Sequence, residues 1–366
     1  MYDFSKEVTC FHEEHVRLTN GERGDMKRRR DTNHDRIVAG LKELGKPALV
    51  ESINQGGYAQ KTMTQPPEAD EDSRYDIDLG VVFEKDAASG PRTTRGWVRD
   101  AIACKATNLK NDPEVKPKCV RVIYAEGYQC DFPVFRRTST DTGWTYELAA
   151  GEEWVASDPR SMNTWVDEQV SARSPEASGS YQLRRIIRLL KFFAKVHAHR
   201  RGLKFPGGLV ATALAVEAYR AQNGRDDLSF RETLRALSYR SEHQPVYANG
   251  TQVSDAKDVD RIKRLVDEAK DAVQRLDALE GDDVTDADAR KAWRKVFRHS
   301  YFDEPVGKAA AAAFETKSIP GASGLAAPML PSAAAAALSD AERADRVRAA
   351  AEARKAAGAG ERPWAG

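Results

Sequence analysis

Three aspartates, Asp76, Asp78 and Asp131, are the residues whose type and spacing point most directly to chemistry. Asp76 and Asp78 are one residue apart in the segment 74–83, where apolar residues alternate with other residues as in a half-buried strand. A strand would hold both carboxylates on one face, about 7 Å apart. Mg²⁺ prefers oxygen ligands and usually takes one or two carboxylates together with substrate phosphates. The pair therefore indicates a metal site, with a solvated strand face as the alternative.

Asp131 adds a third carboxylate from another strand. It lies in the segment 128–135, opposite an apolar face, and only Glu126 and Gly127 separate this segment from a predicted strand at 119–125. So short a link is typical of a β-hairpin. Three carboxylates can hold two Mg²⁺ ions, or Mn²⁺ in their place, beside a reacting phosphate. The three aspartates are therefore predicted as catalytic and metal-binding residues.

A glycine turn precedes the strand that carries the first two aspartates. It consists of Gln55, Gly56, Gly57 and Tyr58. Glycines there would let the backbone come close to a phosphate, with N–H groups as donors. These four residues are predicted to bind nucleotide.

A basic helix is predicted over 181–196. Its apolar residues form one stripe at helical spacing, and another face carries four cations, Arg184, Arg188, Lys191 and Lys195. Four cations in one line repel one another, so a phosphate-lined cleft would explain their placement. A solvated face is the alternative. Arg188 and Lys191 are predicted to contact nucleotide.

The elements that position these residues predict an α+β fold with two lobes and a central cleft. Residues 1–160 are expected to form a core lobe with a mixed or antiparallel sheet and N-terminal helices, and residues 161–303 a helical lobe. Residues 304–366 are rich in Ala, Gly and Pro and are predicted to be a flexible tail.

Capping residues predict where two of the helices begin. Thr19 or Asn20 would cap a helix over 23–44. Ser229 and Glu232 fit a capping box at the start of a helix over 230–239.

Composition limits the class of protein. The 57 basic and 56 acidic side chains nearly cancel, which argues against an extended nucleic-acid coat but not against local patches. No apolar run reaches the roughly 20 residues needed to span a bilayer, and the N-terminus has no signal-peptide core, so a cytoplasmic protein is expected. The four cysteines form no Cys-x-x-Cys pair, so no structural zinc site is indicated.

Four motifs, in order along the chain, carry a resemblance to known enzymes: Q-G-G-Y-A-Q-K-T, Y-D-I-D-L-G-V-V-F, C-D-F-P-V-F and L-R-R-I-I-R-L-L-K-F-F. Together they resemble the polymerase-β-like nucleotidyltransferases. More narrowly, they look like the bacterial cGAS/DncV-like nucleotidyltransferases, the cyclic-oligonucleotide synthases of CBASS anti-phage systems. The resemblance covers about residues 10–300.

The resemblance implies a reaction and a role for each residue. Asp76 and Asp78 match the paired metal carboxylates, and Asp131 matches the third, which binds the catalytic metal and helps to activate a sugar hydroxyl. Lys191 matches a basic position near the triphosphate. The implied reaction makes a cyclic di- or trinucleotide second messenger from NTPs, ATP or GTP among them, and releases pyrophosphate. A downstream cyclic-nucleotide effector is the implied partner.

The chain departs from that family's pattern in its turn. Gly57 stands where relatives carry a serine whose hydroxyl touches a phosphate, so backbone N–H groups and Mg²⁺ would have to carry that contact. The zinc ribbon of the vertebrate synthase has no counterpart, so zinc-ribbon DNA sensing is not expected.

The C-terminus matches a second feature of these anti-phage systems. In some of them a ubiquitin-conjugation-like partner joins the synthase's C-terminal residue to another protein, and Gly366 ends this chain. Conjugation at Gly366 is one hypothesis, and a plain linker is the other.

Two other functions stay open. A linear oligonucleotide synthase, or a transferase acting on RNA or protein, would use the same acids. A nucleotide-binding scaffold acting through its tail would not need them.

Overall fold

The computed structural model of the chain describes residues 1–68, 76–107, 109–125, 128–177 and 179–303. The predicted tail, with Gly366, lies outside these ranges. The α-helices of the described ranges, in chain order, are α1 (Ser5–Phe11), α2 (Asn20–Glu43), α3 (Gly56–Ala59), α4 (Pro91–Lys105), α5 (Ser161–Arg173), α6 (Gln182–Arg201), α7 (Gly208–Ala218), α8 (Asp226–Ser238), α9 (Asp258–Asp277) and α10 (Asp286–Phe297). No helix in the described ranges is long and apolar enough to cross a membrane.

Eight strands in the first part of the chain form one mixed sheet. Its strands are β1 (Glu51–Gln55), β2 (Asp76–Glu84), β3 (Glu114–Val115), β4 (Val120–Ile123), β5 (Gln129–Phe132), β6 (Val134–Thr140), β7 (Gly143–Ala150) and β8 (Glu153–Ala156). The order across the sheet is β3-β4-β5-β2-β6-β7-β8, and β1 also pairs with β2. Two short strands, β9 (Tyr247–Ala248) and β10 (Thr251–Gln252), form a separate hairpin. This architecture confirms the predicted α+β fold with a mixed sheet.

Pro133 divides one predicted strand into two. Both β5 and β6 run parallel to β2, and the register is the same on either side of the break: Asp78 pairs with Asp131, and Val81 with Val134. Proline has no N–H to donate to a ladder. Its carbonyl still accepts from the Val81 N–H at 2.9 Å, so the register is kept across the gap.

The alternation along β2 sorts its side chains onto two faces. Ile77, Leu79, Val81 and Phe83 are buried in a core beneath α2 and α4. The opposite face carries Asp76 and Asp78, followed by the fully buried Val82, which packs with Ile53 and Phe135 in a small second cluster. The predicted strand and its core face are therefore confirmed. The other face is also buried at Val82.

Helix α2 begins where its cap predicts. The Thr19 hydroxyl accepts a hydrogen bond from the Glu22 N–H at 3.2 Å, and the Glu22 carboxylate accepts from the Thr19 N–H at 2.7 Å. This reciprocal pair is a capping box.

The capping box predicted at Ser229 and Glu232 is wrong. Helix α8 already begins at Asp226, and Ser229 lies inside it. The Ser229 hydroxyl donates to the Arg220 carbonyl at 2.7 Å instead of capping the helix. Asp226 and Asp227 supply the acidic first turn, and both are buried.

The N-terminal segment packs with the helical part of the chain. Phe4, Val8, Phe11 and Val16 are fully buried in the same core as α6, α8 and α10. The Phe11 ring lies 4.9 Å from the Phe297 ring, measured between centroids. This differs from the prediction that residues 1–160 pack together, because the apolar side chains of this first segment fill a gap in the helical core.

Candidate active site

A transverse row of side chains across four strands forms the floor of the candidate site. The register pairs Gln55 of β1 with Asp78 of β2, Asp78 with Asp131 of β5, and Asp131 with Arg121 of β4. Paired residues of neighbouring strands place their side chains on the same face. The sheet therefore brings together two acids that are far apart in the sequence and adds a cation beside them.

Gly56 packs directly against one of these carboxylates. It begins α3 with a φ of +61°, and a Cβ added to it would lie 1.9 Å from Oδ2 of Asp78. A side chain at this position would meet both a steric and a conformational penalty. The predicted turn is therefore the start of a short helix, and Gly56 is required there by Asp78.

Burial and mutual repulsion oppose the ionisation of the paired acids. Desolvation, followed by the charges of Asp131 and Asp76, raises the pKa of Asp78 to about 6. Desolvation and the Asp131 charge also raise the pKa of Asp76. A cation placed between these carboxylates would relieve both effects.

Asp131 is held differently from the other two acids. Both its oxygens accept hydrogen bonds from Arg121, at 2.9 Å from Nε and 2.7 Å from Nη2. Such a two-point contact is among the stronger side-chain interactions. Asp131 therefore lies on the predicted strand, but the Arg121 guanidinium is already bound to its carboxylate.

The donor chemistry of the row fits Mg²⁺ at Asp76 and Asp78. These two aspartates offer carboxylate oxygens, which are hard ligands. Mg²⁺ commonly takes two such groups and completes its shell with substrate phosphate and water. In the part of the chain that the structure describes, no three His, Cys, Asp or Glu side chains are grouped so as to hold a metal by themselves. The Arg121 guanidinium would compete with a metal ion for Asp131.

The cations of α6 approach the row from the helical part of the chain. Lys191 Nζ lies 3.4 Å from the Thr62 hydroxyl, and Lys195 Nζ lies 3.4 Å from the Thr64 carbonyl. Burial and the Lys195 charge lower the pKa of Lys191 to about 7. Nζ of Lys191 would be 3.4 Å from a Cβ on Gly57. The ammonium group thus lies beside the position where a serine was expected.

A cleft of about 610 Å³ connects these groups. Of the predicted site residues, it is lined by Gln55, Gly56, Gly57, Asp76, Asp78 and Lys191. Asp131 lies next to Asp78 in the sheet, beside this cleft.

Two of the predicted nucleotide contacts lie elsewhere. Tyr58 and Arg188 line a separate small pocket rather than the cleft. Arg188 is buried and donates to the Lys61 carbonyl from Nε and Nη2, at 2.8 and 2.6 Å. Its guanidinium therefore ties α6 to the loop after α3, which explains its placement without a nucleotide.

The cleft has further lining residues that were not among the predicted site residues: Gln60, Met63, Thr64, Pro159, Met162, Asn163, Lys195, Gly208 and Leu209. Pro159 and Asn163 come to it because α5 is tied to β1. The Asn163 amide donates to the Asn54 carbonyl at 2.9 Å, and the Gln55 amide donates to the Pro159 carbonyl at 3.0 Å. Neither contact follows a periodic pattern, so only Lys195, on the basic face of α6, carried a signal.

Comparison with known proteins finds relatives of the segment that carries the paired acids. Residues 50–135 match the family model described as the nucleotidyltransferase domain of DncV-like cyclic GMP-AMP synthases. A cyclic GMP-AMP synthase of Escherichia albertii is 26% identical over 200 residues, which are 53% of this chain and 43% of that protein. The match thus spans less than half of the curated relative.

Solved structures share the fold over most of the chain. Vibrio cholerae DncV cyclic AMP-GMP synthase, in complex with nonhydrolyzable GTP, superimposes with a TM-score of 0.63 at 15% identity, covering 81% of this chain and 96% of that one. CdnC of E. coli MS115-1, in its complex with HORMA-deltaN, gives a TM-score of 0.59 at 17% identity, covering 82% and 98%.

The matched range 50–135 contains the Gly56 turn, β2 with its paired acids, and Asp131 with Arg121. The cleft is therefore formed around the same segment that the family model recognises. This segment is therefore similar in sequence to the nucleotidyltransferase domain of DncV-like synthases, and the chain shares the fold of the DncV and CdnC structures.

Proposed function

We propose that the protein is a template-independent nucleotidyltransferase that makes a cyclic di- or trinucleotide from NTPs and releases pyrophosphate. The observation that carries this proposal is the meeting of Asp76 and Asp78 with Lys191 in one cleft, built around the segment that matches the DncV-like domain. The volume of about 610 Å³ is within the usual range for small-molecule sites. ATP and GTP are the proposed substrates, since the Vibrio relative was solved with a GTP analogue.

Asp76 and Asp78 would hold Mg²⁺, with Asp131 as a third ligand once it is free of Arg121. When bound, Mg²⁺ neutralises phosphate charge and lowers the pKa of the attacking sugar hydroxyl. That oxygen forms a bond to the α-phosphorus, and the bond from the α-phosphorus to the bridging oxygen breaks, so pyrophosphate leaves with the electron pair. Lys191 would bind the triphosphate, and its charge would balance the charge that gathers on the leaving group.

Asp131 has the remaining role in this proposal. It would orient the attacking hydroxyl and take up its proton, which then passes to solvent. Until Asp131 binds metal, the Arg121 contact positions this carboxylate, and Asp131 in turn holds the pKa of the Arg121 guanidinium above its usual value. The last turnover, within the linear product, would close the ring and release a further pyrophosphate.

We propose a signalling role in bacterial anti-phage defence of the CBASS type, which rests on the family resemblance. The cyclic product would act on a downstream effector. Conjugation of Gly366 by a ubiquitin-conjugation-like partner remains a hypothesis on a residue outside the described ranges. Deleting the last residues and losing higher-mass, synthase-containing species from cells would support it, and an unchanged pattern would favour a plain linker.

Product analysis tests the reaction. The purified protein is incubated with all four NTPs and Mg²⁺, treated with phosphatase and analysed by mass spectrometry. A phosphatase-resistant cyclic product is expected, and it should be absent with Asp76→Asn and Asp131→Asn but present with the exposed control Asp141→Asn. A ladder with free ends would instead indicate a linear synthase. No product from the wild type, under conditions where any partner is supplied, would contradict the proposal.

A further inference from the structure

Arg95, in α4, is a buried cation that lacks partners. Only 2% of its surface is exposed. Nη2 donates to the Gly151 carbonyl at 2.6 Å. Within the described residues, however, its Nε and Nη1 atoms are buried and have no hydrogen-bond partner. A buried charge with two unmet donors carries a large desolvation cost.

The other buried arginines show that this is unusual for the molecule. In the described ranges they are Arg188, Arg231, Arg240 and Arg290, and each is more exposed than Arg95. Arg231 donates to Glu232 and Glu280, Arg240 to Glu217 and to backbone carbonyls, and Arg290 to Asp286. Arg188 uses all three nitrogens on Lys61 and His12. Arg95 is the most buried and the least satisfied.

The nearest acid does not neutralise Arg95. The Glu152 charge acts on Arg95, but its carboxylate faces Arg92 at 3.4 Å, and both of those side chains are largely exposed. Solvent screens such an exposed pair. The guanidinium of Arg95 is therefore left with a backbone carbonyl as its acceptor.

Arg95 lines a groove on the sheet domain with a volume of about 710 Å³. The groove is bounded by the start of α4, by the loop from β3 to β4, by the loop from β7 to β8, and by Lys46 after α2. Its charged lining residues are Lys46, Arg92, Arg95, Arg99, Lys116, Asp100 and Glu152. Cations thus outnumber acids by five to two, in a chain whose total charge is close to zero.

The groove is a different place from the catalytic cleft, since no residue lines both. It is nevertheless connected to the strand of the paired acids. Trp97, in the wall, packs its ring against Phe83 of β2, with centroids 6.2 Å apart and the rings nearly perpendicular. The ammonium group of Lys46 lies 5.7 Å from the Trp97 ring centroid.

We propose that this groove is a second ligand site, which binds a small molecule carrying a phosphate group, with Arg95 as its anchoring donor. Arg95 lines the groove, and its two unpaired nitrogens, which have almost no accessible surface, would suit the oxygens of a phosphate once a small side-chain shift opens them to it. The other cations at the rim add charge, and a cavity of about 710 Å³ has room for a ligand of nucleotide size rather than for a bare ion. A ligand there would supply the acceptors that Arg95 lacks.

Calorimetric titration with inorganic pyrophosphate tests this site. The full chain is titrated in EDTA at constant ionic strength, so that no metal–phosphate complex forms in the catalytic cleft. The test variants are Arg95→Met, which keeps much of the side-chain volume, and Lys116→Ala at the rim. The control is Arg28→Ala, an exposed arginine of α2 that lines neither cavity, and Lys191→Met reports any pyrophosphate bound in the catalytic cleft.

Arg95→Met is expected to weaken pyrophosphate binding at least about tenfold, and Lys116→Ala about threefold, while Arg28→Ala stays close to the wild type. Hydrogen exchange should slow at residues 91–97 and 115–117 on binding. Lys116→Ala keeps the test valid if Arg95→Met fails to fold. Absence of pyrophosphate binding at millimolar concentration, or binding that is lost only in Lys191→Met, would overturn the proposal.

Discussion

The environment of the Asp78 carboxylate opposes its charge. Its pKa of about 6 in the folded state lies above the ordinary 3.8, chiefly because of burial. The folded state therefore holds a proton more tightly than the unfolded state. Stability is lost as the pH rises from about 4 through 6, and the loss is complete at neutral pH.

Asp78→Asn is therefore expected to stabilise the metal-free protein at pH 7.5, by about 1–3 kcal/mol, although it removes catalysis. The gain should vanish near pH 4, where the wild-type carboxyl is also neutral. Thermal unfolding in EDTA across this pH range measures it, with Asp141→Asn as the exposed control. A variant less stable than the wild type at pH 7.5 would show that hydrogen bonds, not burial, decide the state of Asp78.

Lys191 is the cation that the fold brings closest to the candidate triphosphate site. Its pKa of about 7 means that the free enzyme loses this charge just above neutrality. Lys191→Met should raise the KM for NTP about tenfold or more at pH 6, and the difference from the wild type should narrow by pH 8.5. The exposed Lys204→Met serves as the control. A constant ratio at both pH values would mean that Lys191 stays charged.

The two glycines of the turn should respond differently to substitution. Gly56→Ala places a methyl group 1.9 Å from Asp78 Oδ2 at a φ of +61°, so activity should fall by about a hundredfold or more. Gly57→Ser meets only the flexible Met63 side chain at 3.0 Å and Lys191 Nζ at 3.4 Å, and activity should stay within about threefold. Initial-rate measurements with a check on melting temperature compare them. Equal losses would contradict this account.

At the scale of elements, the row from Gln55 to Arg121 shows what the pattern could and could not predict. Alternation predicted β2, β5 and the face of each acid. It could not predict which residues are paired, because register depends on the link between strands. A link of only Glu126 and Gly127 would pair Asp131 with Val122, whereas the structure pairs Tyr124 with Tyr128 across the link and so Asp131 with Arg121. This difference of one residue in register places Arg121 opposite Asp131, which the sequence pattern did not predict.

Arg121→Met is expected to strengthen the response to Mg²⁺, because it removes a cation that competes for Asp131. The metal-free variant should melt at a lower temperature than the wild type, since Asp131 is left beside Asp78 without its partner, and Mg²⁺ should raise that temperature by more. Arg136→Met is the matched control, because Arg136 makes the same two-point contact with Glu147 across β6 and β7. An unchanged Mg²⁺ response would show that Arg121 does not compete for the site.

At the scale of the whole molecule, two apolar cores meet at the cleft. One lies under the sheet, and the other is formed by the helices from α5 onward together with Phe4 to Val16. Strand alternation predicted the sheet core, and helical spacing predicted the helical core. The first segment was assigned to the sheet lobe only because of its position in the chain. Seven residues of α1 carry too short a pattern to say which core they join, and only the assembled helices offer the gap that Phe11 fills.

Phe11→Ala tests this division of the molecule. The Phe11 ring is fully buried, with centroids 4.9 Å from Phe297, 4.8 Å from Phe302 and 5.7 Å from Phe192, so its loss should cost about 3–5 kcal/mol. Hydrogen exchange should accelerate in α6 and α10 and much less in β2. Phe83→Ala, an equally buried ring in the sheet core, should give the reverse pattern. If both variants loosened both regions equally, the two cores would unfold as one unit, and the cleft between them would have little freedom to open for substrate.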